Sequence, residues 1–275
     1  MKIQLFRTFY FLLFTFAFAS LAAAQTDLEN LVKTEKEFAS FTAEKGMKQG
    51  FSAYLANDGI IFQPTATNGK DYWNAKPDSS ALLVWNPTFA DISSNGKLGY
   101  TTGDWELRPN GKADKPTAFG QYVTLWQKQI DGKFKAILDI GISHDKPPKV
   151  ETNWLSPKEA VAAEPTKFFT FLEQSRVFDR SNPATLYQKL YKNNLADNVR
   201  VLREGKPPII GKKLADKETK NAAKELSLQP KFTFDVKNLA YTYGKYETDK
   251  EKGSFMEIWK FRNGKWQIVL DVYTK

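Results

Sequence analysis

"GKWQIVLDVY" runs from Gly264 to Tyr273, and "GKFKAILDIG" runs from Gly132 to Gly141. Both phrases open on a Gly-Lys turn, continue as a strand rich in aliphatics, and close on an aspartate set between aliphatic residues. The likeness extends backwards: "GQYVTLWQKQIDGKFKAILDIG" (Gly120 to Gly141) lies over "GSFMEIWKFRNGKWQIVLDVY" (Gly253 to Tyr273). That alignment sets Trp126 on Trp259 and Asp139 on Asp271. Upstream, "LGYTTGDW" (98–105) matches "LAYTYGKY" (239–246), "WNPTF" (85–89) matches "LQPKF" (228–232), and "YLANDGIIF" (54–62) matches "NLADNVRVL" (194–202). Each match alone is weak. Their shared order and nearly shared spacing imply a duplicated unit.

One unit reads as helices followed by strands. "DLENLVKTEKEFASFTAEKG" places Leu28, Leu31, Val32, Phe38 and Phe41 near helical spacing and stops at Gly46. A second helix, "KQGFSAYLAND", leads into a short strand, "GIIFQP", and "GKDYWNA" forms a brief helix after a glycine turn. Long strands follow at "ALLVWNPTFADIS", "KLGYTTGDWELR" and "AFGQYVTLWQKQ", and "KFKAILDIGIS" is the last. Asp131-Gly132 and Asn263-Gly264 are hairpin turns, the first one residue longer, so that Gly132 is expected to form a bulge.

The N-terminus carries an export pattern: Lys2 and Arg7, an apolar run from Phe9 to Leu21, then small residues at 22–24. The run is shorter than the roughly 20 residues that span a bilayer. The expected organisation is therefore a leader at 1–24, a first domain at 25–145, a linker at 146–155 and a second domain at 156–275. "SPKE" (Ser156 to Glu159) is expected to cap the first helix of the second domain. The expected location is the periplasm or the extracellular space, with no integral membrane segment in the mature chain.

The chain of 275 residues has no cysteine, one histidine and a net charge of +9. There is then no disulfide and no thiol chemistry, and a zinc site lacks its usual ligands. No cofactor is expected. The positive charge would suit anionic glycans or lipid headgroups, but the lysines are scattered as on a solvated surface. The sequence lacks a basic-aromatic nucleic-acid motif.

The helical start, the short strand with its G-K turn, and "GDW", "GQYVTLW", "DGKFK" and "DIG" in that order resemble the nuclear-transport-factor-2-like superfamily. The nearest branch holds ketosteroid isomerases and polyketide cyclases. The resemblance covers almost all of the first unit and, more faintly, the second. It implies an α+β fold of two tandem cones, each a curved antiparallel sheet wrapped around helices with a pocket at its open end. The fold alone does not give function. Single domains of this kind often pair through their sheets, so two copies in one chain imply a monomer containing an internal pseudo-dimer, favoured by the linker.

Strand alternation puts Phe134, Ala136, Leu138 and Ile140 on one face and Ile137 and Asp139 on the other. Counting from the turns places Val123 opposite Asp139 and Met256 opposite Asp271. A carboxylate among apolar neighbours needs a partner or its pKa rises. Asp139 is thus either a pocket acid or base or a structural carboxylate. Asp104 is the second candidate base, since unit two carries Lys245 in its place; the alternative is a rim carboxylate. Tyr122 is nominated as the acid, and Tyr54, Trp73, Trp85, Trp126 and His144 as ligand-lining residues. In unit two, Arg200 and Arg203 suit an internal ion pair or an acid, and Tyr243 and Tyr246 are expected to fill the cone. Three functions stay open: a binder of a small, largely apolar molecule; an isomerase, cyclase or dehydratase using a pocket aspartate; and an interaction module with filled cones.

Overall fold

The computed structural model describes residues 25–147, 152–157, 165, 167–175, 191–222, 227–248 and 251–275. The export pattern at 1–24 and most of the expected capped helix opening at Ser156 lie outside them.

Residues 25–45 form helix α1. Its buried stripe runs Leu28, Leu31, Val32, Glu35 and Phe38, one face of a helix at 3.6 residues per turn. Gly46, at φ 88, ends it, its N–H bonding to Thr42 O at 2.8 Å. Helix α2 (Met47–Tyr54) runs directly into β1 (Leu55–Phe62), so the helix ends earlier and the strand begins earlier than the sequence suggests. Strand β2 (Ala66–Asn68) turns into α3 (Gly69–Ala75), where Asn68 Oδ1 accepts the Asp71 N–H at 3.0 Å as an N-cap.

The expected long strand at 81–93 is two strands, β3 (Leu82–Trp85) and β4 (Phe89–Ile92), both paired with β5 (Leu98–Arg108). Pro87 has no N–H to donate between them. Strands β6 (Ala118–Lys128) and β7 (Phe134–His144) complete the first sheet, in the order β2-β1-β7-β6-β5-β3. Strand β1 joins β7 in parallel, whereas every other pairing in this sheet is antiparallel.

Helix α4 (Phe168–Ser175) and a helical turn at 191–194 (α5) precede β8 (Leu195–Arg203), β9 (Ile209–Ile210) and α6 (Lys212–Ala222). Strands β10 (Ser227–Val236), β11 (Leu239–Glu247), β12 (Lys252–Arg262) and β13 (Lys265–Thr274) follow. The second sheet runs β10-β11-β12-β13-β8-β9, with β8 parallel to β13. Its path β8-β13-β12-β11 repeats β1-β7-β6-β5. The architecture is α+β, two sheets each packed against helices.

A bulge in the last hairpin of each sheet sets which side chains face inward. Across β6 and β7, Trp126 pairs with Ala136 but Leu125 pairs with Leu138, leaving Ile137 over. Across β12 and β13, Trp259 pairs with Ile268 and Ile258 with Leu270, leaving Val269 over. An extra residue swaps the faces beyond it. Phe134 and Ala136 therefore pack in the core beneath α1, while Leu138, Ile140 and Ile142 pack outward. The single face expected for those aliphatics is split. The expected partners shift too: Thr124, not Val123, stands opposite Asp139, and Glu257, not Met256, opposite Asp271.

The outward face of the first sheet packs on the second sheet in one continuous apolar cluster. Phe62 meets Tyr243 edge-on at 5.8 Å, so Tyr243 faces the first sheet rather than filling the second cone. Arg200 stacks over Phe89 at 3.6 Å. Lys260, 1% exposed, reaches Asp91 at 2.8 Å and Ile92 O at 2.6 Å, and Arg262 holds the other Asp91 oxygen at 2.9 Å. Two residues of the segment expected as a linker are docked: Leu155 bonds Ala90 and Thr88 at 3.0 Å each, and Trp154 packs against the first core.

Candidate functional site

The concave face of the first sheet holds a cavity of about 680 Å³. Eight of its lining residues are aromatic, among them Phe51, Tyr72, Trp73, Trp85, Trp105 and Tyr122. Phe51 stacks on Trp73 at 4.7 Å, and Phe38 packs edge-on to Phe51 at 5.0 Å and to Trp85 at 4.8 Å. Gly120 makes room for Trp105: a Cβ there would lie 2.4 Å from the indole ring.

Three polar groups stand on the aromatic part of this wall. Asp139 lines the cavity and accepts a hydrogen bond from the Thr124 hydroxyl at 2.7 Å. Burial pushes its pKa from 3.8 up to about 6, with the Thr124 bond pulling the other way. Tyr122 is 7% exposed, and among the described residues its hydroxyl has Thr101 as its side-chain partner, in a contact short of full hydrogen-bond geometry. Burial, then the nearby Glu35 and Asp139 carboxylates, raise its pKa well above the ordinary value. The indole N–H of Trp73 has no hydrogen-bond partner among the described residues. A buried donor without an acceptor costs about 1–3 kcal/mol.

Behind the wall stands a carboxylate that the sequence reading missed. Glu35 is fully buried. It accepts from Trp85 Nε1 at 2.5 Å, from the Thr101 hydroxyl at 2.5 Å and from Trp126 Nε1 at 3.0 Å. Burial raises its pKa from 4.5 to about 7, the three donors opposing and Asp139 adding to the rise. Its signal was present in the sequence: position 35 falls on the apolar stripe of α1, where a charge is out of place.

The nominated residues separate into three groups. Asp139, Tyr122, Trp73 and Trp85 come together around the cavity. Trp126 is wholly buried behind it, on Glu35 and Thr101, and Tyr54 packs on Phe38 at 4.9 Å beside a shallow groove along α1. Asp104 and His144 do not line the cavity. Alternation along β5 turns Trp105 inward and Asp104 outward, where Gln121 donates to its carboxylate. His144 lies on the outward face of β7, its Nδ1 2.6 Å from Asp145 O. Among the described residues no group of three His, Cys, Asp or Glu side chains could hold a metal ion, and no helix is long and apolar enough to cross a membrane.

Residues at the ends of β8 and β13 border the mouth of this cavity. Glu204 and Lys275 line it. The Ser143 N–H bonds Glu204 Oε1 at 3.1 Å, and the Gly205 N–H bonds Ser143 O at 2.7 Å. The second concave face is built differently. Asp271 is fully buried, bonded by Arg203 at 2.5 Å and the Tyr191 hydroxyl at 2.8 Å, so the arginine forms the internal ion pair. Tyr246 stacks on Tyr273 at 4.8 Å. Trp259, the counterpart of Trp126, bonds Glu257 at 3.1 Å instead of a helix glutamate.

No protein-family model and no curated protein matches the chain. It is similar to a nuclear-transport-factor-2-like protein with a cystatin-like fold from Novosphingobium aromaticivorans, at 10% identity and TM-score 0.38, covering 48% of this chain and 90% of that one. It is similar to a protein of unknown function with a cystatin-like fold from Nostoc punctiforme, at 16% identity and TM-score 0.34, covering 43% of this chain and 92% of that one. A third is a ketosteroid isomerase-like protein from Parabacteroides distasonis, at 16% identity and TM-score 0.31, covering 42% and 86%. The solved structures that this chain resembles are thus nuclear-transport-factor-2-like, cystatin-like and ketosteroid isomerase-like proteins, and none of the three spans half of it.

Proposed function

We propose that residues 25–145 and 156–275 are duplicated cone-shaped domains joined by 146–155, and that the first binds a small, largely apolar molecule. The observation that carries this reading is the Tyr122 hydroxyl, buried on the wall of the aromatic-rich cavity with only Thr101 beside it as a side-chain partner. A ligand that accepts or donates there would add a hydrogen bond to a hydroxyl already withdrawn from water. The test is a titration of the full chain with a neutral arylalkyl alcohol, phenylethanol, followed by tryptophan fluorescence and calorimetry. Saturable binding at one site, weakened by Ser143→Phe at the mouth, supports the reading. Failure of every arylalkyl probe to bind overturns it.

A second reading has its own observation. Asp139, with its proton affinity raised toward neutrality, shares the cavity with Tyr122, and a base paired with a hydroxyl donor suits proton transfer beside a carbonyl. Deuterium exchange from solvent into cyclohexenone, followed by NMR, tests it. Catalysed exchange that falls roughly 10²-fold or more in Asp139→Asn makes the protein an enzyme of isomerase, cyclase or dehydratase type. Exchange no faster than in buffer removes this reading.

On the same proposal the chain is exported after loss of residues 1–24 and stays monomeric. The outer face through which a single cone would pair with another is covered here by the second sheet. A stable homodimer in light scattering would count against it.

A further inference from the structure

The cavity's charge pattern says more about its occupant, on the reading that the first cone binds an apolar molecule. Its lining carboxylates are Asp139 inside and Glu204 at the mouth, and Glu35 stands behind the wall. The lining cations are Lys76 and Lys275, both exposed at the rim and both engaged. Lys275 pairs with Glu251 at 2.7 Å, and the Lys76 ammonium sits 4.5 Å over the Tyr72 ring. The second contact shows a lining ring already facing a cation.

Eight aromatic rings lining one cavity with a carboxylate make a surface for positive charge. The faces of tryptophan and tyrosine attract an ammonium, most strongly where water is excluded. Asp139 has Thr124 as its side-chain donor, so one carboxylate oxygen stays available to a second donor. The Tyr122 oxygen can accept as well as donate. An ammonium set between Asp139 and Tyr122 would have both partners, while its apolar body fills the aromatic space. A carboxylate ligand would meet Asp139 and Glu204 with no free lysine beside them.

We infer that the ligand class of this cavity is a hydrophobic amine, an aryl or alicyclic body carrying one ammonium group that is paired by Asp139 and enclosed by Trp73, Trp85 and Trp105.

Three probes of one shape decide it: phenylethylamine, phenylethanol and phenylacetate, each titrated into the full chain by calorimetry. The expected order places the amine about tenfold or more tighter than the alcohol, with the carboxylate weakest. Asp139→Asn is expected to remove the amine's advantage and leave alcohol binding in place. Because Asp139 is partly buried, Glu204→Gln at the mouth serves as the second variant and should weaken the amine alone by a few-fold. Equal binding of amine and alcohol, or tighter binding of the carboxylate, overturns the amine inference and leaves the apolar-ligand reading standing. No binding of any probe overturns both.

Discussion

Thr124 stands directly across β6 and β7 from Asp139 and donates to its carboxylate at 2.7 Å. The bulge at Ile137 creates this pairing, and the bulge at Val269 places Glu257 across from Asp271 in the second sheet. The same geometry serves two ends. Asp139 looks into an open cavity with one side-chain donor, while Asp271 is closed over by Arg203 and Tyr191. Thr124→Val keeps the shape and removes the donor. The Asp139 pKa is then expected to rise further above about 6, because a bond to the charged form is lost. A carbon-detected NMR titration of the Asp139 carboxyl would show it; an unchanged midpoint would mean that the hydroxyl does not bond there in solution.

Both cavity-side carboxyls bind protons more tightly folded than free, Asp139 at about 6 against 3.8 and Glu35 at about 7 against 4.5. Stability from these groups is complete below their unfolded values and is lost as pH rises through 6 and 7. For Glu35 the loss by pH 8 amounts to about 3 kcal/mol. Glu35 and Tyr122 feel the Asp139 charge, and Glu204, Lys76 and Lys275 line the same cavity. Urea midpoints measured from pH 4 to 8 should fall with pH, and less steeply in Asp139→Asn. A midpoint that climbs across this window would contradict the burial of both groups.

The sequence carried the fold in its repeats and turns. The pairing of Trp126 with Trp259 and of Asp139 with Asp271 emerges as equal positions beside equal bulges. Face assignments failed where a bulge intervened, because alternation read from the hairpin turn is reset by one unpaired residue, and neither Ile137 nor Val269 marks itself by composition. Asp104 invited a catalytic reading because a lysine replaces it in the second half, yet parity from Trp105 already turns it outward. The contribution of Glu204 to the cavity mouth was invisible, since it depends on how the two sheets pack and no local pattern reports that.

Glu35 is expected to hold the cavity wall. Glu35→Ala removes the acceptor of two indoles and a hydroxyl at once and leaves a void at a fully buried position. Loss of about 3–5 kcal/mol is expected from orphaned donors and the cavity together. Glu35→Gln should cost less but not restore stability, because its amide N–H₂ would face a donor. Urea unfolding measures the cost. Near-ultraviolet circular dichroism should also change, since Trp85 and Trp126 lose their shared anchor. Wild-type stability and spectrum in Glu35→Gln would show that the carboxylate is dispensable.

Asp91 and Lys260 fix the packing of one sheet on the other. Lys260 is 1% exposed, and its ammonium is held by Asp91 at 2.8 Å and Ile92 O at 2.6 Å. Asp91→Ala removes a carboxylate that both the buried Lys260 ammonium and the Arg262 guanidinium bond. Breaking a buried pair in this way costs about 3–5 kcal/mol. Lys260→Met in the same background removes the buried charge and should recover most of the loss, because apolar packing replaces buried ion pairs at little cost. A double-mutant cycle by urea unfolding separates the terms. Additive losses would mean that the two side chains do not meet in solution, and the two sheets would then be held by their apolar faces alone. Strong coupling would make the Asp91–Lys260 pair the contact that sets their mutual register.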